Sequence, residues 1–338
     1  MSVYNGRRYL REAIESVLRQ TFGDFEFLIL DDGSSDGSQD IILSYRDPRI
    51  RLVANTTNIG LTKSLNRGLA RALAPLIARQ DADDVSYPNR LEKQVEIMDR
   101  HPDVVLVGAQ ARTIDSGGSP VRGTPWPRAV TDLGMRWQLI FESPFVHTSV
   151  MFRREVVWGE LGGYDEEFVT SQDYELWSRV ARRYRIGNLP DCLVDFRVHP
   201  ESASSAYTPQ NIQRVRQPLR MNAVRYLRCG DIPERWLDLW VAANNPRVYG
   251  GDVDIQSLMK FLDAFRTRFE ETHPASRDHP EIRRHLAGML LRIGLRLTPA
   301  HPVKSLGLLI RAYRTDPVIT RLALRAHLRE LPSRIWRR

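Results

Sequence analysis

Along the first third of the chain, short apolar runs rich in β-branched and aromatic residues alternate with segments whose apolar residues recur with a helical period. This pattern predicts strands at 25–30, 50–54, 75–79 and 104–109, and helices at about 7–20, 37–46, 60–73 and 88–100. Parallel strands need crossover connections of this kind, and the crossover helices then cover the sheet. We therefore predict an α/β fold with a Rossmann-like, mostly parallel sheet and helices on both of its faces.

Three polar clusters fall at the carboxyl ends of strands, two of them directly after the predicted strands at 25–30 and 75–79. They are "SVYNG" at 2–6, "DDGSSDGS" at 31–38 and "QDADD" at 80–84. In open α/β sheets, ligands bind beyond the carboxyl ends of the strands. We therefore expect the three clusters to converge on one crevice.

The cluster at 80–84 brings three carboxylates together, those of Asp81, Asp83 and Asp84. A divalent cation such as Mg²⁺ or Mn²⁺ removes the repulsion between such groups and keeps coordination positions open for substrate phosphates. The alternative is a solvated, aspartate-rich turn. The glycine-rich phosphate loops Gly-x-Gly-x-x-Gly and Gly-x-x-x-x-Gly-Lys-Ser/Thr do not occur in the sequence, which argues against a dinucleotide-binding or P-loop enzyme.

The chain changes character after about residue 208. Strand signals stop, and breakers at 229–233, 244–252, 272–280 and 298–302 separate segments of helical period. With 338 residues the chain suits two modest domains, so we predict a sheet domain at 1–207 and a mostly helical region at 208–338.

Positive charge is concentrated in the last helical segments. Residues 283–338 contain thirteen Lys and Arg against two acidic residues, so their net charge is +11. Because the net charge of the whole chain is +8, the preceding residues have a net charge of −3. Basic amphipathic helices of this kind suit an anionic membrane surface or a docking face. The alternative is a helix packed on the sheet domain with its arginines in water. Neither a nucleic-acid-binding motif nor interleaved aromatic residues accompany the charge, so we predict no nucleic-acid partner.

The cysteines and the hydropathy indicate the compartment. Cys192 and Cys229 have neither a disulfide framework nor a metal-ligand spacing around them. Neither a signal peptide nor an apolar run of spanning length is evident in the sequence. These features favour a cytoplasmic protein.

Five segments together resemble, in order and spacing, the family 2 glycosyltransferases of the GT-A fold. They are the stretches beginning "MSVYNGRRYL" at 1, "NTTNIGLTKS" at 55, "ARQDADDVSY" at 78, "SPFVHTSVMF" at 143 and "GGYDEEFVTS" at 162. The resemblance covers about residues 1–200. It implies transfer of a sugar from a nucleoside diphosphate donor to an acceptor hydroxyl, with inversion at the anomeric carbon and with Mg²⁺ or Mn²⁺ as cofactor.

The resemblance also assigns donor-binding residues. Tyr4 matches the position whose ring lies against the nucleotide base, and Asp32 matches the one that hydrogen-bonds the base or ribose. An aromatic face with a carboxylate acceptor suits uracil or thymine, so a UDP- or dTDP-sugar is expected. The full predicted donor site comprises Ser2, Tyr4, Asn5, Asp32, Asn58, Lys63, Asp81 and His147.

Two further roles follow from the resemblance. Asp81 and Asp83 match the family's Asp-x-Asp element, whose metal bridges the two phosphates of the donor. Asp173 matches the aspartate that acts as general base on the acceptor hydroxyl, although Gln172 stands where glutamate is common. An acid in the first turn of a helix also has a purely structural explanation, since it interacts well with the helix dipole.

The sequence departs from the family at two places. The first strand is represented only by Ser2, Val3 and Tyr4, so the resemblance implies either further strand residues upstream or a fold compromised at its nucleotide end. The Gln-x-x-Arg-Trp mark of processive synthases is missing, because Leu133 and Ile232 stand at the glutamine position of the two Arg-Trp pairs. A single-addition enzyme is therefore favoured.

We thus expect a non-processive transferase that builds a cell-surface polysaccharide or glycolipid. Its acceptor is a carbohydrate or lipid-linked molecule, and its basic C-terminal helices make peripheral contact with the inner face of the cytoplasmic membrane. Two alternatives stay open: a catalytically silent GT-A-like binding or scaffold protein, and a nucleotidyltransferase, which also uses acids, a metal and a nucleotide.

Overall fold

The structure is a computed structural model that describes residues 1–121, 128–202, 209–244, 254–297 and 302–330. The chain forms two compact units, Met1–Pro120 with Ser143–Ser205, and Val121–Glu142 with Ala206–Arg338. In chain order the elements are β1 (Ser2–Val3), α1 (Arg7–Leu18), β2 (Phe27–Asp31), α2 (Ser38–Leu43), β3 (Ile50–Ala54), α3 (Leu61–Arg71), β4 (Leu76–Ala78), β5 (Val85–Ser86), α4 (Arg90–Arg100), β6 (Val104–Ile114), α5 (Asp132–Gln138), β7 (Met151–Arg153), α6 (Gln172–Arg183), β8 (Arg185–Arg197), α7 (Pro209–Leu227), α8 (Glu234–Asn244), α9 (Ile255–Thr272), α10 (Pro280–Leu297), α11 (Pro302–Thr315) and α12 (Pro317–Glu330).

The first unit contains two hydrogen-bonded sheets. Strands β1, β2 and β3 form a parallel sheet in that order, and the second sheet has the order β4-β7-β6-β8-β5. The long strands β6 and β8 pair in parallel, whereas the shorter strands β4, β5 and β7 pair antiparallel. The strands are therefore mostly parallel, as predicted, with short antiparallel additions that the alternation of segments did not predict.

Helical period explains how the first sheet is covered. Leu10, Ile14 and Val17 lie four and three residues apart on α1, so they share one face of the helix and are buried against Phe27 and Ile29 of β2. Burial of each such side chain contributes roughly 1.5–3 kcal/mol. This core holds β1 and β2 side by side, with their carboxyl ends at the same edge.

The second unit is helical and has an aromatic core. Trp137 and Phe141, which belong to the segment 121–142, pack edge-on or tilted against Phe269 and Phe265 of α9, with ring centroids 5.3 and 5.8 Å apart respectively. The Glu281 carboxylate of α10 accepts hydrogen bonds from the backbone N–H of Val130 (3.0 Å) and Thr131 (3.2 Å), at the start of α5. The predicted helical region is confirmed, and it also includes α5, which lies within the predicted sheet domain. The boundary at 207/208 itself stays a prediction.

Helix length and hydropathy show whether a helix could span a membrane. None of the helices within the described ranges is both long enough and apolar enough to span a bilayer.

Candidate active site

The loops after β1 and β2 are tied into one surface. The backbone N–H of Asn5 donates to Ser34 Oγ (3.0 Å), and Asn5 Oδ1 accepts from the backbone N–H of Ser35 (2.9 Å). Asn5 has a φ of 50°, a left-handed conformation that asparagine tolerates better than most residues. Two of the three predicted polar clusters, 2–6 and 31–38, therefore lie together.

Asp32 links this surface to the start of α3. Its buried carboxylate accepts hydrogen bonds from Asn55 Nδ2 (2.6 Å) and from the backbone N–H of Ile59 (3.0 Å) and Gly60 (3.0 Å). Three of its roughly four acceptor positions are thus used by the chain itself. Asp32 holds the loop 55–60 in place, which leaves about one acceptor position for a ligand.

The other predicted donor residues differ in how available they are. Tyr4, at the end of β1, is 53% exposed, so its ring is free to stack on a ligand. Ser2 is buried, and its backbone forms a bridge with Asp81. Asn58 Oδ1 accepts from the backbone N–H of Gly60 (3.0 Å), and Lys63 is exposed on α3.

The acidic loop 80–84 is positioned by a buried arginine. Arg90, at the start of α4, donates to Gln80 Oε1 (3.0 Å), Ser86 Oγ (2.8 Å) and the carbonyl of Arg79 (2.6 Å). Gln80 Nε2 in turn donates to the carbonyl of Asp84 (2.9 Å). Burial, together with the nearby charge of Arg79, lowers the pKa of Arg90 to about 9. Arg90 therefore fixes the loop through neutral acceptors.

Asp81 and Asp83 have different partners. Arg79 NH2 lies 2.5 Å from Asp81 Oδ1, and although burial alone would raise the pKa of Asp81, Arg79 and His147 hold it below its usual value. His199 Nε2 lies 3.1 Å from Asp83 Oδ2. Burial and the charge of Asp81 raise the pKa of Asp83. Asp81 is thus neutralised by the protein, whereas Asp83 is the acid that still gains from a cation.

Asp84 anchors the loop to the end of β8. Its Oδ1 accepts from the backbone N–H of Arg197 (2.7 Å), and Arg197 Nε donates to the carbonyl of Asp83 (2.8 Å). Burial raises the pKa of Asp84 well above its usual value, and the charges of Asp81 and Asp83 add to the effect. Through these bonds His199, two residues after Arg197, is brought to the acidic loop.

The residues present fit a hard divalent cation. Within the described part of the chain, no three side chains of His, Cys, Asp or Glu form a closed metal site. Mg²⁺ and Mn²⁺ do not require one, because Mg²⁺ usually keeps several waters and binds through one or two carboxylates together with substrate phosphates. Asp83 and His199 supply an oxygen and a nitrogen donor at one point.

Asp173 lies in the first turn of α6 and shares an electrostatic environment with the acidic loop. Burial and Arg79 lower the pKa of His147 to about 4, and the charges of Asp173 and Asp81 both oppose that shift. The same two carboxylates help burial to raise the pKa of Tyr164, whose hydroxyl lies 3.0 Å from His147 Nε2. The structure therefore brings the predicted base and the predicted acidic loop near the same pair of side chains.

Backbone strain marks the start of α6. Ser171, directly before the helix, has a φ of 60°, which is uncommon for a residue other than glycine. The loop 161–163 is bound to α6 by Arg179, which donates to the carbonyls of Leu161 (2.6 Å) and Gly163 (2.7 Å) and pairs with Glu175 (2.7 Å). The helix that presents Asp173 is therefore tied to the loop 161–163 by these bonds.

The sequence did not single out His199, Tyr164 or Arg79. His199 follows β8 in the segment "FRVHPES", so its position after a strand end was the available signal. His147 was predicted at the donor site, and the structure packs its ring against Tyr164 and Trp177 with centroids 5.8 and 6.3 Å apart.

Comparison with known proteins connects this geometry to a family. Residues 1–160 match the family model described as glycosyl transferase family 2. The chain is 31% identical over 214 residues to the O-antigen biosynthesis glycosyltransferase WbnJ of Escherichia coli. The aligned region covers 61% of this chain and 81% of WbnJ.

Two solved structures share the fold. The chain is similar to S. aureus TarS 1–349 in complex with UDP-GlcNAc, with a TM-score of 0.56 and 20% identity over 97% of this chain and 90% of that one. It is also similar to the mannosyltransferase PcManGT from Pyrobaculum calidifontis in complex with GDP-Man and Mn²⁺, with a TM-score of 0.53 and 19% identity over 98% of this chain and 85% of that one. The likeness confirms the predicted fold.

Proposed function

The chain belongs to glycosyl transferase family 2 and is a glycosyltransferase, and from that premise we propose an inverting, metal-dependent transfer from a UDP- or dTDP-sugar to an acceptor hydroxyl. The observation that carries the proposal is the contact of the acidic loop with the segment of His147: the backbone N–H of Asp81 donates to Thr148 Oγ1 (3.0 Å), and the His147 ring lies 3.0 Å from the Tyr164 hydroxyl. The charges of Asp81 and Asp173 both act on this His147–Tyr164 pair. This arrangement supports one reaction centre that joins the acidic loop to the N-terminus of α6.

The donor occupies the surface formed by the loops after β1 and β2. The exposed ring of Tyr4 stacks on the base, and the remaining acceptor position of Asp32 takes a hydrogen bond from the base or ribose. The other predicted residues complete the nucleotide-sugar site; they are Ser2, Asn5, Asn58, Lys63, Asp81 and His147.

Asp83 and His199 hold the divalent cation, Mg²⁺ or Mn²⁺. The raised pKa of Asp83 and the separation of 3.1 Å from His199 Nε2 support this assignment. When bound, such a cation neutralises the charge that grows on the leaving diphosphate. Asp81, the predicted second ligand, remains part of this proposal, and its pairing with Arg79 supports a further role in orienting the donor.

Asp173 acts as the general base. Its carboxylate accepts the proton of the acceptor hydroxyl while the hydroxyl oxygen forms a bond to the anomeric carbon. The bond between that carbon and the donor's diphosphate oxygen breaks, and the nucleoside diphosphate leaves with the electron pair. A single displacement of this kind inverts the anomeric configuration.

The acceptor is a carbohydrate or a lipid-linked molecule in the synthesis of a cell-surface polysaccharide or glycolipid. The similarity to an O-antigen biosynthesis enzyme supports this class of acceptor. We place the enzyme in the cytoplasm, in peripheral contact with the inner face of the membrane through the basic region 283–338, and without a nucleic-acid partner.

An assay of released nucleotide tests the proposed function. The full-length protein is incubated with Mn²⁺, a panel of UDP-, dTDP- and GDP-sugars, and lipid or polysaccharide extract as acceptor. We expect release of a nucleoside diphosphate that depends on acceptor. Release of pyrophosphate in a parallel incubation with nucleoside triphosphates and sugar 1-phosphates would identify a nucleotidyltransferase, and donor binding without release would identify a silent binding protein.

A further inference from the structure

Helices α11 and α12 present apolar side chains to solvent. Leu306, Ile310 and Tyr313 lie four and three residues apart on α11, and Val318 and Leu322 lie four apart on α12, so each set shares one helix face. These five side chains, which we call the apolar face, are 38–68% exposed. Exposed apolar patches on a folded protein generally mark an interaction surface.

The apolar face is distinct from the apolar side by which these helices pack in the core. Leu308 and Ala312 of α11 and Thr320 of α12 are fully buried, so each helix already has a packed side. The two exposed sets are connected, because Arg321 of α12 donates to the Tyr313 hydroxyl and its guanidinium lies 5.1 Å from the centre of the Tyr313 ring. The apolar face is therefore a second, additional apolar side of the pair.

A basic cleft adjoins this face. It has a volume of about 640 Å³ and is lined by Arg266, Arg283, Arg311, Arg314 and Asp278, with Ile310 of the apolar face also in its wall. Arg266 pairs with Glu270 at 2.7 Å, and Arg311 pairs with Asp263. Arg283 and Arg314 form no ion pair with any residue that the structure describes. We call this feature the arginine cleft.

We propose that the apolar face and the arginine cleft together bind the surface of a bilayer that contains anionic phospholipid. The inference deepens the membrane location given under the proposed function and does not depend on which sugar is transferred. Apolar side chains of the face enter the boundary between headgroups and acyl chains, and Arg283 and Arg314 contact lipid phosphates. Ile310, which belongs to both features, places apolar and charged groups at the same depth.

The charge distribution favours a membrane over a second copy of the chain. In a twofold dimer the same patch meets itself, so Arg283, Arg314 and Arg321 of one copy would face like charges of the other. An anionic bilayer complements these charges instead. Nucleic acid would pair with the arginines but would leave the exposed aliphatic side chains in water.

Cosedimentation with vesicles tests the proposal. Full-length protein is mixed at low salt with vesicles of phosphatidylcholine alone or of phosphatidylcholine with phosphatidylglycerol. We expect binding to the anionic vesicles, little binding to the neutral ones, and loss of binding as salt is raised. Arg283→Gln/Arg314→Gln should weaken binding about tenfold or more, since each arginine near an anionic surface contributes substantially.

Matched variants separate this surface from general charge and hydrophobicity. Arg71→Gln/Arg235→Gln removes the same charge from two other exposed positions and should bind vesicles like the unmodified protein. Leu306→Ser/Ile310→Ser should lose binding, whereas Leu43→Ser, at another exposed leucine, should not. Because the substituted side chains are exposed, the thermal melts of all variants should be unchanged.

Several results would overturn the proposal. Equal partitioning to neutral and anionic vesicles would show that the arginine cleft has no role in binding. If the control substitutions at Arg71 and Arg235 weakened vesicle binding as much as those at Arg283 and Arg314, the binding surface would not be at the cleft. A dimer in analytical ultracentrifugation that Leu306→Ser/Ile310→Ser dissociates, without any vesicle binding, would assign the face to a second copy. Saturable binding of inorganic phosphate without vesicle binding would assign the cleft to a soluble anion. Nucleotide release measured in parallel shows separately whether the transferase proposal holds.

Discussion

Asp83 and His199 are the pair on which the metal assignment depends. Their side chains approach to 3.1 Å although 116 residues separate them in sequence. Asp81, the other acid of the Asp-x-Asp element, already has the cation Arg79 as a partner. The two acids of the element therefore lie in different environments, Asp81 beside a cation and Asp83 beside a histidine.

Asp83→Ala should abolish the Mn²⁺-dependent part of UDP binding, because it removes the carboxylate ligand. Isothermal calorimetry with UDP, with and without Mn²⁺, measures the effect, and His199→Ala should reproduce it more weakly. Asp99→Ala, which removes an exposed acid from α4, serves as the control. Equal affinities of Asp83→Ala and the unmodified protein would show that the cation is held elsewhere.

His147 should make the stability of the metal-free protein sensitive to acid. Its pKa is lowered from 6.5 to about 4 in the folded protein, so the unfolded chain binds more protons between these values and stability falls as the pH falls through them. In His147→Gln this loss should be smaller by about 2 kcal/mol. Urea unfolding at neutral pH and near pH 4 measures it. His101→Gln, at an exposed histidine, should leave the pH dependence of stability unchanged. If His147→Gln lost as much stability in acid as His101→Gln, His147 would not be the source of the acid sensitivity.

Helix α10 is joined to the segment 121–142 by a partly buried ion-pair cluster. Glu142 Oε1 lies 3.1 Å from His285 Nε2, and Glu142 Oε2 lies 3.1 Å from Arg292 NH2. Burial alone would raise the pKa of Glu142, but Arg292 and His285 hold it well below its usual value. The carboxylate is therefore charged in the folded unit at neutral pH.

Glu142→Gln should destabilise the second unit by about 1–3 kcal/mol at neutral pH, because it leaves partly buried donors with a weaker acceptor. A depressed pKa contributes stability that is present above the unfolded value near 4.5 and lost as the pH falls below it, so the variant should also lose less stability in acid. Thermal melts at both pH values test this. Glu271→Gln, at an exposed pair with Arg268, should cost about 0.5 kcal/mol or less.

Hydrophobic period predicted α1, α3, α4, β2 and β3 to within a few residues, because each is long and regular enough to carry its own pattern. Strand β8 shows where this stops. It spans Arg185–Arg197 and contains Pro190, which cannot donate a hydrogen bond to the ladder. Its register with β6 shifts beside this proline, because Leu189 and Cys192 pair with the consecutive residues Ala109 and Gln110. Its thirteen residues are held as a strand by tertiary pairing that no local pattern specifies.

The candidate site was predictable only in part. The resemblance to a family located the acidic loop and Asp173, because both lie in short motifs. It did not locate His199 or Arg79, since their roles depend on which residue faces which acid in the folded chain. The partition of charge, +11 in residues 283–338 and −3 before them, was readable from the sequence, whereas the apolar face beside it was not.

Catalysis by this glycosyltransferase is proposed to depend on Asp173 as the general base. The most direct test compares unmodified protein with Asp173→Asn, measuring both the dissociation constant of the donor and the acceptor-dependent rate of nucleoside diphosphate release. Asp103→Asn, at an exposed acid, controls for loss of charge. We predict unchanged donor affinity and a rate lowered by about 10²-fold or more in Asp173→Asn. A normal rate in that variant would show that Asp173 is not the base.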